Sequence, residues 1–83
     1  MNVKLLQRLT EAAGVPGQED EIREIVRDEL KGICEIRSDA LGNLICLKKG
    51  SGKGKKGEAR KLMLAAHMDE IGFVVKFIDD KGF

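Results

Sequence analysis

An apolar run that ends abruptly in an imidazole and a carboxylate constrains the fold of this chain more than any other feature. Residues 62–72 read Leu-Met-Leu-Ala-Ala-His-Met-Asp-Glu-Ile-Gly. Such a run is typical of a buried strand, and polar residues just past a strand end lie where α/β sheets place ligands. Residues two apart on a strand point to the same side, so we expect His67 and Asp69 to face one place together.

These two residue types suit a metal site but do not complete one. Zinc and related cations accept neutral imidazole as a ligand, and the second ring nitrogen usually donates to a carboxylate. His67 and Asp69 therefore suit the roles of a ligand and its orienting partner. A histidine near a strand end is also commonly a hydrogen-bonded structural residue, and the spacing alone leaves both interpretations open.

The first part of the chain has helical periodicity. Apolar residues at helical spacing predict a first helix over residues 2–13, and the Pro and Gly of residues 14–17 predict a turn. A second helix follows, with acidic residues at its start and Gly32 as a cap beyond its end. Its apolar stripe consists of Ile22, Ile25, Val26 and Leu30.

The pattern then changes to that of strands. Residues 33–38 and 43–48 are expected to pair as a hairpin, with a tight connection at residues 39–42. Residues 60–66 and 73–78 predict a third and a fourth strand. Two helices followed by consecutive strands predict an α/β fold with a mixed sheet.

The end of the sequence predicts a turn without a returning strand. Asp79-Asp80-Lys81-Gly82 has hairpin-turn chemistry, and Phe83 is the last residue. Residues 73–78 would then form an unpaired apolar edge. We therefore expect residues 1–83 to be the N-terminal piece of a longer protein; a small domain with an irregular C-terminus is the alternative.

Size and composition exclude several classes of protein. Eighty-three residues form at most one domain with a small core. The net charge of +1, with many charges of both signs, does not suggest a nucleic-acid binder. No apolar stretch is long enough for a membrane helix, and the N-terminus lacks a signal-peptide layout, so we expect no membrane partner and a cytoplasmic location.

Two cysteines are too few for a disulfide scaffold. Cys34 and Cys46 form no Cys-x-x-Cys pair and lie in strand-like patterns, so we expect both to be buried core thiols.

Other candidate motifs are not supported by the residues and secondary structure expected around them. Gly52-Lys-Gly-Lys-Lys-Gly57 matches a dinucleotide fingerprint formally, but a strand rather than a helix is expected after it. The lysines of this loop lack interleaved aromatics, which favours a solvated loop over a nucleic-acid surface. Asp69 and Glu70 would point to opposite faces of an extended segment, so they do not converge as a glycosidase pair requires. His67 is the only histidine, and no Ser/His/Asp set is recognisable.

Four ordered motifs resemble those of the glutamyl/deblocking aminopeptidase family. Residues 65–72, Ala-Ala-His-Met-Asp-Glu-Ile-Gly, resemble its metal-binding motif. Residues 13–19 resemble the turn between its first two helices, residues 39–45 its Asp-x-Leu-Gly-Asn hairpin, and residues 79–83 the turn before its next strand. The resemblance therefore extends over the whole chain.

The resemblance implies a cytoplasmic di-metal peptidase with a phosphorylase/hydrolase-like catalytic domain. It implies that His67 is a ligand of one of two divalent ions, zinc or cobalt, and that Asp69 is the catalytic-site carboxylate that orients this imidazole. Family members cleave N-terminal residues from peptides with metal-activated water and form tetrahedral twelve-subunit particles. Residues 1–83 would be the N-terminal segment of the catalytic domain, without its remainder and its smaller inserted domain.

Two alternatives to the peptidase interpretation remain at this point. Because one imidazole and one carboxylate cannot close a coordination sphere, we expect the isolated chain to be inactive and to bind zinc weakly. A non-catalytic truncated or split-protein fragment is therefore one alternative. A glycoside hydrolase is the other, because some family members carry an endoglucanase label.

Overall fold

A computed structural model describes residues 2–50 and 60–83 of the chain. The elements in these ranges are α1 (Val3–Glu11), α2 (Asp20–Leu30), β1 (Glu35–Ser38) and β2 (Leu44–Leu47). The chain divides into two compact units. Unit 1 comprises Met1–Ile25 with Met68–Phe83, and unit 2 comprises Val26–His67.

Helix α1 confirms the first predicted helix with tighter bounds. Asn2 has an extended backbone, and its side-chain oxygen accepts a hydrogen bond from the Leu5 N–H at 3.0 Å. This is the N-cap arrangement that asparagine favours, because it satisfies an N–H that the first turn leaves unpaired. The helix ends at Glu11, and Ala12 returns to an extended conformation.

Helix α2 confirms the second predicted helix. Asp20 and Glu21 lie in its first turn, where the helix dipole favours negative charge. The Arg23 guanidinium contacts the Asp20 carboxylate one turn back and approaches Glu19 at 3.9 Å. Beyond the helix, Gly32 adopts the predicted capping conformation with φ of +81°.

The core of unit 1 is small and helical. Among the described residues, the buried hydrophobic side chains are Ala12, Ile22 and Ile25. Ile22 and Ile25 belong to the predicted apolar stripe of α2, whose other members, Val26 and Leu30, are half-buried. The buried residues therefore lie directly after α1 and in the first half of α2.

Unit 2 contains the predicted hairpin. Strands β1 and β2 are antiparallel, with Glu35 opposite Leu47 and Ser38 opposite Leu44. The Arg27 side chain of α2 donates to the Ser38 hydroxyl at 3.3 Å.

The two cysteines differ from the prediction. Cys34 and Cys46 are free thiols, as expected, but both are half-buried rather than part of the core. Cys46 lies in β2 of a hairpin whose side chains are half-buried or exposed along both strands, so the hairpin does not bury its side chains completely.

A carboxylate organises the turn between β1 and β2. Asp39 Oδ1 accepts hydrogen bonds from the N–H groups of Leu41 at 3.0 Å and Asn43 at 2.9 Å, and Oδ2 accepts from the Asn43 side chain at 2.8 Å. Gly42 completes the turn with φ of +85°. The Asn43 side-chain bond, assisted by the bonds from the Asn43 and Leu41 N–H groups and by Arg37, holds the pKa of Asp39 below its ordinary value.

The turn at residues 79–83 has the same construction. Asp79 Oδ1 accepts from the N–H groups of Lys81 at 2.9 Å and Phe83 at 2.8 Å. Gly82 has φ of +87°. Asp79 also bonds through its N–H to the Phe83 carbonyl, as Asp39 does to Asn43. The predicted turn is therefore confirmed, with a carboxylate role that the sequence analysis did not anticipate.

The third and fourth strands and the mixed sheet were wrong predictions for this chain. Residues 60–66 and 73–78 have no regular secondary structure, and the sheet of the described residues is the two-stranded antiparallel β1–β2 pair. Leu62 is 88% and Phe73 98% exposed. A strand needs a neighbour for its backbone bonds and a surface for its apolar face, and the described residues give these segments neither.

The predictions for the glycine- and lysine-rich loop and for membrane-spanning helices can be compared only with the residues that the structure describes. The fingerprint-like stretch at residues 52–57 and most of the lysine-rich loop lie outside them. Within the described residues, no helix has the length and apolar character needed to cross a membrane.

Replacing Asp39 with Asn tests the carboxylate turn. The fold lowers the pKa of Asp39, so its charged form contributes stability above the ordinary carboxyl pKa, and this contribution is lost as pH falls through the lowered pKa. We expect Asp39→Asn to reduce the free energy of unfolding at neutral pH and to flatten its decline in acid. Urea unfolding across a pH series measures both effects.

Asp80→Asn is the matched control, because it makes the same charge change at an exposed side chain in the other turn. An Asp39→Asn variant with the acid profile of the unmodified chain would contradict the prediction.

Candidate functional site

The two predicted site residues belong to different units. His67 is exposed and ends unit 2, whereas Asp69 is half-buried and belongs to unit 1. Each interacts with other groups of the chain. The strand that was expected to turn both side chains to one side is not formed, so their shared orientation stays a prediction.

The donor types suit a divalent metal, but their number does not complete a site. Imidazole nitrogen and carboxylate oxygen are ordinary zinc ligands, and a structural or catalytic zinc takes at least three protein ligands. No group of three or more His, Cys, Asp or Glu side chains is placed to hold a metal within residues 2–50 and 60–83. His67 and Asp69 therefore fit a partial donor set.

The segment that carries Asp69 is fixed to the turn that follows α1. The Glu70 N–H donates to the Gly14 carbonyl oxygen at 2.8 Å. Gly14 is buried whereas Glu70 is exposed, so this hydrogen bond fixes a surface segment to an interior residue of unit 1. Leaving the carbonyl of a buried residue unpaired is costly, because burial removes its water partners without replacement.

Two glycines permit this close approach. A Cβ atom at Gly14 would lie 3.0 Å from Ile22 Cγ1 and 3.4 Å from the Met68 carbonyl oxygen. A Cβ atom at Gly72 would overlap Cγ1 of Val15. The turn and the Asp69 segment thus meet at points where a side chain has little or no room.

Two glutamates at the start of α2 and just before it hold the turn in place. Glu21 Oε2 accepts the Ala13 N–H at 3.1 Å, and Glu19 Oε1 accepts the Gly17 N–H at 2.6 Å. The Val15 carbonyl accepts the Gln18 N–H at 2.9 Å. Acidic residues that were predicted to favour the start of the helix electrostatically therefore also satisfy backbone donors of the preceding turn.

This contact was not predicted from the sequence. Residues 14–17 were expected only to form a turn, and Gly72 had no expected role beyond its motif. A glycine inside an apolar, strand-like stretch often marks the close approach of another backbone, and Gly72 between two such stretches carried that signal. The residues around Gly72 do not indicate which part of the chain approaches it.

Two family profiles of known proteins match different parts of the chain. A family profile described as M42 glutamyl aminopeptidase matches residues 42–83, which include His67, Asp69 and Gly72. The chain belongs to the M42 glutamyl aminopeptidase family. A second profile, described as AMPT, matches residues 2–25, which include Gly14 and Val15.

Curated relatives cover nearly the whole chain. A protein of Acetivibrio thermocellus named "Putative aminopeptidase" is 54% identical over 80 residues, which are 95% of this chain and 22% of that protein. "Putative aminopeptidase FrvX" of Escherichia coli (strain K12) is 43% identical over 84 residues, covering 100% of this chain and 22% of that protein. The lysyl aminopeptidase of Pyrococcus furiosus is 43% identical over 82 residues, covering 96% of this chain and 22% of that protein.

Membership of this family confirms the resemblance predicted from the sequence motifs. The chain spans about a fifth of the length of these relatives. No solved structure matches the chain significantly. The two profile matches include the two segments that meet through the Gly14–Glu70 hydrogen bond.

Proposed function

We propose that this chain is the N-terminal segment of the catalytic domain of a metal-dependent aminopeptidase. The observation that carries the proposal is the M42 match over residues 42–83, because it includes both candidate site residues. The names of the three relatives, all aminopeptidases, support the same reaction class. The substrate class is peptides with a free N-terminus, and the reaction is hydrolysis of the first peptide bond.

In this proposal His67 and Asp69 have separate roles. His67 is exposed, so its imidazole can reach a metal without burial of the ring, and it acts as a ligand. Asp69 is half-buried and accepts the second ring N–H of a ligating histidine, which fixes the ring orientation. When bound, divalent metals polarise the scissile carbonyl and lower the pKa of the attacking water.

The remaining parts of the proposal concern the whole protein. Two divalent ions, zinc or cobalt, occupy a site whose other ligands come from the remainder of a phosphorylase/hydrolase-like catalytic domain. A smaller domain is inserted in that domain, and the protein assembles as a homododecamer in the cytoplasm. The family match supports this part of the proposal, because the chain spans only about a fifth of the length of its relatives.

Substitutions of the two site residues test the proposed roles in the full-length protein. We expect Asp69→Asn to lower zinc affinity or kcat/KM on aminoacyl anilides by about 10–100-fold, as loss of a ligand's orienting carboxylate typically does. His67→Ala should cost more, because the ligand itself is removed. Metal content per subunit and steady-state kinetics measure these effects.

Asp80→Asn is the matched control for Asp69→Asn, since it neutralises an exposed aspartate in the same unit. It should leave metal content and kinetics unchanged. Full metal content and activity in both His67→Ala and Asp69→Asn would overturn the assignment. The same preparations assayed on cellulose oligomers separate a peptidase from a glycoside hydrolase, and activity on sugar alone would reject the proposal.

The isolated 83-residue chain is predicted to be inactive. Its described residues supply fewer than three clustered ligand side chains, so a metal cannot be held in a closed coordination sphere. We expect no turnover of aminoacyl anilides and only weak zinc binding by calorimetric titration, alongside an active full-length preparation. Robust turnover by the purified 83-residue chain would show that the proposed dependence on further ligands is wrong.

A further inference from the structure

The peptide groups on both sides of Asp69 lie against one residue. The Glu70 N–H, which follows Asp69, donates to the Gly14 carbonyl at 2.8 Å. The Met68 carbonyl, which precedes Asp69, lies 3.4 Å from the position that a Cβ of Gly14 would occupy. The backbone of Asp69 is therefore hydrogen-bonded to Gly14 on one side and in close contact with it on the other, and its position depends on that of Gly14.

Val15 limits the approach of the same segment at Gly72, three residues after Asp69. Its Cγ1 occupies the space that a Cβ at Gly72 would need. Valine is β-branched and stiff about χ1, so it does not yield as the end of a long, flexible side chain would. The contact fixes how closely the Gly72 backbone approaches the turn.

We propose that Gly14 and Val15 form a positioning element that sets the location of Asp69 in the proposed metal site. Val15 acts through Gly72 and the Gly14 carbonyl through Glu70, so neither residue needs to touch metal or substrate. This inference rests on the proposed function and deepens it. Gly14 and Val15 lie in the turn after α1, outside the sequence motif of residues 65–72, and are added here to the residues on which the site depends.

The physical basis is the sensitivity of an orienting carboxylate to small displacements. Loss of an orienting partner typically lowers metal affinity or activity by about 10–100-fold, and a misplacement of about 1 Å in a site can cost about 10²-fold in rate. A methyl group forced between Gly72 and Val15 must displace one segment or the other. Displacement of the Gly72 segment moves Asp69 directly, and displacement of the turn moves the Gly14 carbonyl that anchors Glu70, so the Asp69 carboxylate shifts in either case.

The test is a double-mutant cycle in the full-length protein. Gly72→Ala introduces the overlapping methyl group, and Val15→Ala removes the Cγ1 that it would meet. In the double variant the added Cβ lies 3.6 Å from the remaining Val15 Cβ, which is ordinary van der Waals contact. We expect Gly72→Ala to lower zinc affinity by about 10–100-fold and Gly72→Ala/Val15→Ala to recover most of that loss.

Gly50→Ala is the matched control. Its added methyl group meets no atom of residues 2–50 and 60–83 within 4 Å, and its backbone needs no positive φ, so zinc affinity should stay unchanged. Zinc affinity is measured by competition with a chelating dye. Thermal unfolding of the metal-free variants distinguishes a loss of the fold from a displacement of Asp69. In steady-state kinetics, kcat should fall in Gly72→Ala with KM little changed.

A readout independent of metal follows the contact itself. Amide hydrogen exchange at Glu70 should accelerate in Gly72→Ala and slow again in the double variant, because the bond to the Gly14 carbonyl is weakened and then restored. Wild-type zinc affinity in Gly72→Ala, or equal losses in the single and double variants, would overturn the positioning role. A parent protein that binds no zinc would reject the proposed function instead, while the exchange pattern would still report on the contact.

Discussion

The arrangement of unit 1 depends on the hydrogen bond between the Glu70 N–H and the Gly14 carbonyl. It ties the segment that carries Asp69 to the buried Gly14, in a turn where the Ala13 and Gly17 N–H groups donate to Glu21 and Glu19. The approach is possible because Gly14 and Gly72 lack side chains. Among the described residues only three hydrophobic side chains are buried, so each backbone contact has a large influence on the position of its segment.

Features set by neighbouring residues could be predicted from the sequence. The helices were predicted from apolar spacing and the acidic start of α2, and the β1–β2 hairpin from alternating residues around a turn. Residues 60–66 and 73–78 have equally strong strand patterns but form no strand. A strand requires partners from elsewhere, and that information is not contained in its own residues.

In the candidate site, too, the residue types could be predicted from the sequence, whereas the contacts between distant segments could not. His67 and Asp69 were found from residue type and spacing, and the family match includes both. Their shared orientation was inferred from a strand that the described chain lacks, so it remains a prediction. The Gly14–Glu70 bond joins residues far apart in sequence, and only a glycine out of pattern at position 72 hinted at a close neighbour.

The two aspartate-centred turns have a consequence for the order of folding events. The turn at residues 79–83 is closed by its own carboxylate and backbone, although residues 73–78 have no ladder beside them. Its geometry therefore does not wait for strand pairing. Closing a loop over so few residues is fast, and a hairpin can zip outward from a turn that already exists. Asp39 and Asp79 thus set the direction of chain reversal through hydrogen bonds to groups within four residues of themselves.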